Sequence, residues 1–177
     1  MAVLFAKAMG CAVSVISNSA FSDRVKLSDA FELGADEVRP TKPPGPRFYK
    51  DVYGAVNPDC THLGDSDINV LLVCANQTPD FKAVLPLLAR RAVIVLMGIQ
   101  TEELRIPYMP FLLPGHRIIS STEASTRNHA DMIEFAARHG IKPWVHSFEM
   151  TEEGLSEAFS LLENGRMRFR GVVVAPY

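Results

Sequence analysis

Residues 69–98 read NVLLVCANQTPDFKAVLPLLARRAVIVLMG, and the fold follows from how this stretch divides. Asn69-Val70-Leu71-Leu72-Val73-Cys74 and Ala92-Val93-Ile94-Val95-Leu96-Met97 are short, nearly unbroken apolar runs. Such runs are expected of strands covered on both faces. Between them, Pro79 to Ala89 sets Phe81, Val84, Leu85, Leu87 and Leu88 on one side of a predicted helix. Gly98 ends the second strand. A strand, a helix and a second strand of this kind form a crossover between parallel neighbours.

The pattern repeats on both sides. Ala2 to Met9 reads as a helix closed by Gly10, and Ala12 to Ser17 as a buried strand. Arg24 to Leu33 follows as a helix with Leu27, Ala30 and Phe31 inward and Gly34 at its end. Arg39 to Arg47, RPTKPPGPR, is a loop, because its four prolines and one glycine forbid regular structure. After the proline-broken stretch of Pro107, Pro110 and Pro114, Arg117-Ile118-Ile119-Ser120 is a further strand. Ser125 to His139 is a helix with Met132, Ile133, Phe135 and Ala136 inward and Gly140 after it. Val145 to Phe148 is a strand. Thr151 caps the last helix, which has Glu152 and Glu153 in its first turn, an expected staple between Met150 and Leu155, and Gly165 at its end. Phe169 to Val174 is the last strand, approached through the alternating Arg166, Arg168 and Arg170. Apolar strands alternating with helices predict the α/β class, a doubly wound, Rossmann-like and mostly parallel sheet.

Composition narrows the function classes. The 177 residues are 47% hydrophobic and 21% charged, which fits one packed domain and excludes a disordered tail. A net charge of -2 with scattered basic residues gives no field to steer nucleic acid. Cys11, Cys60 and Cys74 lack the close spacing of a zinc ribbon, and an odd count without a framework suits a reducing compartment. The apolar N-terminus runs only about nine residues to Gly10, too short to span a bilayer, and has no basic leader. A cytoplasmic chain without a membrane partner is the expectation. His62, His116, His129, His139 and His146 form no i, i+4 pair, so each reads as a surface or interface histidine instead of a metal ligand. Ser120 and Ser121 lack a nucleophile-elbow context, and Cys74 reads as a core thiol.

The order of seven phrases is more specific than the fold: AKAMG, VIS, LGADE, VLMGIQ, RIISS, EFAARHGIKPW and LENGRMRFRGVVV. In this order the chain resembles the C-terminal cofactor-binding domain of the zinc-dependent medium-chain alcohol dehydrogenases, in the cinnamyl-alcohol-dehydrogenase-like branch. The resemblance covers nearly the whole chain and weakens between Arg39 and Asp67. In that family a strand and a glycine-rich turn precede AKAMG and bring backbone N–H groups to the cofactor pyrophosphate. No G-x-G-x-x-G is present here, and the zinc ligands of the family's catalytic domain are absent too. The expectation is one NADP-binding domain over 1–177, incomplete at its start and lacking the first central strand and the glycine-rich turn. Without that strand, Ala12–Ser17 is expected either to close onto Asn69–Cys74 or to leave a marginally folded protein.

The resemblance implies the cofactor contacts. Ser17 and Ser19 match the family's serines at the adenosine 2′-phosphate, and Lys26 matches its lysine. Hydroxyls and cations after this strand favour NADP over NAD. Cys74, Gly98 with Ile99, and Ser121 with Thr122 end successive strands and would line the nicotinamide and its ribose. Gly98 reads equally well as a plain strand-ending turn. Arg170 matches an arginine near the pyrophosphate, although the residues alone favour an exposed edge arginine. The implied activity is hydride transfer between nicotinamide and an alcohol or aldehyde, with a zinc ion that this chain does not bind and with the isolated chain inactive. The alternative is a truncated, non-catalytic binding or dimerisation module that pairs through Leu96–Pro107 and Arg117–Ser121.

Overall fold

A computed structural model describes residues 1–17, 24–39, 68–75, 77–121 and 123–175, leaving aside the side chains of 24–27. Contacts group the chain into two compact units, Ala2–Ile133 and Glu134–Tyr177 with Met1.

In the first unit, α1 (Ala2–Ala8) leads to β1 (Ser14–Ile16), and α2 (Arg24–Glu32) to β2 (Glu37–Arg39). β1 and β2 are parallel, with Val15 beside Val38. That row packs with Val3, Ala30, Phe31 and Ala35 into a small core. Ser17 extends the pairing by donating its N–H to the Arg39 carbonyl at 2.9 Å. On the opposite face, the Glu37 carboxylate accepts from the Ser14 hydroxyl at 2.7 Å and lies 2.7 Å from Arg39 Nε. β2 was not expected, because its three residues are too short to show a periodicity. Among the described residues β1 pairs with β2 alone and does not close onto the 68–73 strand. A neighbouring strand in register at β2 offers the ladder that the expected collapse would have had to build.

A second sheet carries β3 (Ile68–Val73), β4 (Leu88–Leu96) and β5 (Arg117–Ser120), in that order and all parallel. The helix expected over Pro79–Ala89 is shorter: α3 is Phe81–Val84, a 3-10 turn covers Leu85–Leu87, and Leu88 already belongs to β4. Pro86 is the cause, since it has no N–H to give and its ring strikes the preceding turn. β4 therefore starts early and contains a bulge. Its register shifts between Ile68–Leu88 and Val70–Val93. Arg91 takes φ +60° there and sends its N–H to Pro114 instead of into the ladder. One face of this sheet packs with α3 into the main core of Val73, Phe81, Leu85, Leu88, Ala92 and Ile94. Phe81 is 1% exposed and Ile94 0%.

Among the described residues the other face is exposed, contrary to the expectation from the apolar runs. Val70 is 54% exposed, and Leu72 and Ile119 are also exposed. The same correction applies to the helix read over Ser125–His139. α5 is Thr126–Arg138, and its expected inward residues Met132 and Ile133 face solvent, Ile133 at 62% exposure. A second unexpected element, the helix α4 (Tyr108–Leu112), lies in the proline-broken stretch. Its prolines are tolerated because Pro107 is the N-cap and Pro110 falls in the first turn, where an N–H would lack an intrahelical partner anyway.

The second unit contains one strand–helix–strand crossover: β6 (Val145–Glu149), α6 (Glu152–Glu163) and β7 (Arg170–Val174), with β6 and β7 parallel. Thr151 caps α6 by accepting the Gly154 N–H at 3.1 Å, and Glu152 and Glu153 occupy the first turn, as expected. Met150 and Leu155 both remain exposed. Arg166 and Arg168 precede the strand, which only Arg170 enters. Thr151→Ala should lower the stability of this unit by about 1 kcal/mol, the usual contribution of a threonine N-cap. Urea unfolding of the variant measures it, and no shift in midpoint would contradict the cap assignment.

All the glycines expected to close helices do so. Gly10, Gly34, Gly140 and Gly165 have positive φ. At Gly34 the pattern is complete: Gly34 donates to Phe31 at 2.8 Å and Ala35 to Ala30 at 2.9 Å, which ends α2 in a Schellman turn. Among the described residues no helix is long and apolar enough to cross a membrane.

Candidate functional site at the carboxyl edge of the sheet

The three parallel strands β3, β4 and β5 end side by side. The Met97 N–H donates to Val73 at 3.1 Å and the Ser121 N–H to Leu96 at 3.1 Å, so the pairing continues one residue past each strand. This edge brings together Cys74 after β3, Gly98 and Ile99 after β4, and Ser121 after β5. Doubly wound sheets hold ligands outside such carboxyl ends. Gly98 is required sterically, because a Cβ there would lie 2.7 Å from the Ala75 carbonyl oxygen. Gln100 fastens the same two turns by donating its Nε2–H to Ala75 O at 3.1 Å. Ile99 is 85% exposed, so its side chain stands away from the protein. Cys74 is also exposed, with its sulfur 3.9 Å from that of Met97, which corrects its reading as a core thiol.

The other expected contacts are dispersed. Ser17 follows β1, in the separate two-stranded sheet. Lys26 lies in α2, in the part whose side chains are not described, and Ser19 and Thr122 lie outside the described residues. Arg170 is exposed and opens β7 at its amino end, in the other unit.

An open cleft of about 850 Å³ lies between the segments that follow β3 and β4. Thr78, Asp80, Lys82, Thr101, Glu103 and Arg105 are among its lining residues. Its floor includes Phe81, and Asp80 is fixed there as the N-cap of α3, accepting the Lys82 N–H at 3.0 Å. Sequence reading missed this cleft. Its residues come from two loops about twenty positions apart, and their charges look like ordinary solvated side chains; the T-P-D helix start was the only signal.

The residues present can be tested against the implied groups. A dinucleotide fits the edge in kind, since adjacent parallel strands end there with Gly98 between them. Among the described residues no three His, Cys, Asp or Glu side chains cluster to hold a metal ion.

Parallel strands with crossover helices and a ligand-type carboxyl edge define the Rossmann-like α/β class, that of alcohol dehydrogenase cofactor-binding domains. The zinc-binding dehydrogenase family matches residues 1–138, and the chain belongs to it. It is similar to aldehyde reductase AdhA of Synechocystis sp., with 26% identity over 98% of this chain and 46% of that protein. It is also similar to NADP-dependent alcohol dehydrogenase 6 of Saccharomyces cerevisiae, with 27% identity over 98% of this chain and 44% of that one. Among solved structures, a cinnamyl alcohol dehydrogenase of Sorghum bicolor superposes with a TM-score of 0.75 at 24% identity, over 98% of this chain and 44% of that one. The chain thus spans less than half the length of these curated relatives.

Proposed function

We propose that this chain is the NADP(H)-binding part of an alcohol dehydrogenase or aldehyde reductase. The observation that carries the reading is the shared carboxyl edge where Cys74, Gly98 and Ser121 end adjacent parallel strands. A nicotinamide bound there would supply or accept the hydride. The backbone at Gly98, Ile99 and Ser121, with Thr122 beside it, would orient the ring and its ribose. Ser17, Ser19 and Lys26 would take the adenosine 2′-phosphate. Both relatives named above, an aldehyde reductase and an NADP-dependent alcohol dehydrogenase, support this class of chemistry. In this reading 1–177 is one cofactor-binding domain working in the cytoplasm. The group that polarises the substrate oxygen comes from elsewhere, and the chain by itself turns over no substrate.

Fluorescence titration with NADPH and NADH tests the reading. Saturable NADPH binding at least about tenfold tighter than NADH, a difference of about 1.4 kcal/mol, is expected. Lys26→Glu should remove the preference while leaving NADH binding in place. An absence of binding to either dinucleotide would remove the basis of the proposal.

A second reading, a dimerisation module, is favoured by one observation. Ile99, Leu104, Tyr108, Met109, Leu112 and Leu113 form an exposed apolar run in the segment before β5. β5 is also an outer strand of its sheet among the described residues. In sedimentation, self-association that Leu112→Glu and Leu113→Glu together abolish supports this reading, and a strict monomer at every concentration removes it.

A further inference from the structure

α4 ends in the same Schellman pattern as α2, with one chemical difference. Gly115 has φ +74° and donates to the Leu112 carbonyl at 3.0 Å, while the His116 N–H reaches Phe111 at 3.3 Å. In this motif the residue after the glycine frequently makes an apolar contact with the residue whose carbonyl it meets. Ala35 and Ile141 hold the position after α2 and α5, and an exposed Arg166 holds it after α6. After α4 it is held by an imidazole whose ring lies 6.1 Å from that of Phe111. His116 is 7% exposed, and among the described residues neither of its ring nitrogens has a hydrogen-bond partner. The surface or interface reading of this histidine is therefore corrected.

Charged neighbours do not compensate. β4 brings Arg90 and Arg91, and Arg91 Cγ packs 3.8 Å from the Cβ position of Gly115. β5 brings Arg117. The preceding loop carries Glu102, Glu103 and Arg105, all exposed, with Glu103 and Arg105 paired to each other at 3.5 Å. Tyr108 of α4 faces solvent. The flanking strands thus offer cations, and no described carboxylate meets the ring.

We propose that His116 is an acid-sensitive latch on α4. Uncharged, it fills the apolar position that seats the helix end. After taking a proton from solvent it leaves that position, and Phe111, the α4 residue packed on the main core, leaves with it. Burial pushes the His116 pKa below its ordinary value, in the same direction. The released form then binds more protons than the seated form. The stabilisation is complete above the ordinary histidine pKa and is lost as pH falls through it towards the lowered folded value. Within that window a single proton shifts the opening equilibrium by at most about tenfold per pH unit.

Amide exchange at Leu113, Gly115 and His116, corrected for the intrinsic pH dependence of exchange, reads the latch in the full chain and in His116→Leu. Below a pH of about 6.5 the opening constant should rise by up to about tenfold per unit in the unaltered chain and stay level in the variant. Equal slopes in the two proteins would overturn the latch. Asp36, whose carboxyl is held below its usual range chiefly by the Lys7 hydrogen bond, is present in both proteins and cancels. If His116→Leu does not fold, proton NMR of the unaltered chain decides. The His116 ring should stay neutral until the α4 amides lose protection. A ring that titrates at the ordinary value while those amides stay protected contradicts the proposal. The readouts do not involve cofactor or dimer, so they stand apart from the function proposed above.

Discussion

Phe81→Ala is expected to destabilise the Ala2–Ile133 unit by about 3–5 kcal/mol, the range for phenylalanine truncation in a packed core. Phe81 is among the largest fully buried side chains described, and it joins α3 to β3 and β4 through Val73, Leu85 and Ile94. The substitution removes a ring from a site whose walls are strands in a parallel ladder, so little collapse can fill the space. Alanine's better helix propensity returns at most about 0.7 kcal/mol, which does not change the sign. Against a typical total of about 5–15 kcal/mol, the loss is a large fraction of all stability. Urea unfolding at matched conditions measures it. A shift of less than about 1 kcal/mol would mean that the ring is not the centre of this core. The cleft shares Phe81 as its floor, so a folded variant should also lose order at Asp80 and Lys82.

Gly154→Ala sets two effects against each other. A glycine inside a helix costs about 0.5–1 kcal/mol relative to alanine, so propensity alone predicts stabilisation. Space predicts the opposite, because a Cβ at Gly154 would collide with the Glu149 carbonyl. That carbonyl cannot retreat freely. Glu149 is the last residue of β6, in register with Val174, and the next N–H, that of Met150, donates to Val174 at 3.0 Å. Overpacking against backbone costs about 1–3 kcal/mol and more where nothing yields. Steric repulsion therefore wins, and the Glu134–Tyr177 unit should lose about 2 kcal/mol net. Because the Thr151 cap uses the Gly154 N–H, the start of α6 should fray in the same variant. Circular dichroism during urea unfolding reads both changes, and a stabilised alanine variant would refute the close approach.

Legibility in the sequence followed the range of the interactions. Arg117–Ser120 was read with both ends correct, and the helices closed by Gly10, Gly34, Gly140 and Gly165 ended where expected. The apolar spacing of Pro79–Ala89 predicts a helix throughout, whereas Pro86 ends the helix and β4 starts early. β2 and α4 were missed because three and five residues carry too little periodic signal. At the candidate site, Cys74, Gly98 and Ser121 were legible as strand ends. The cleft was not, since its two loops meet only through the pairing of β3 with β4.

By itself the sequence determined the family, the alternation of helix and strand, the parallel character of the pairing and the helix ends, because each depends on groups a few residues apart or on phrases in fixed order. Only the tertiary structure decided that β1 pairs with β2, that Val70, Leu72, Met132 and Ile133 face solvent, and that His116 is buried beside Phe111. A residue's burial and its strand partner are set by surfaces far away along the chain. Local pattern states how apolar a face is, but not whether another element arrives to cover it.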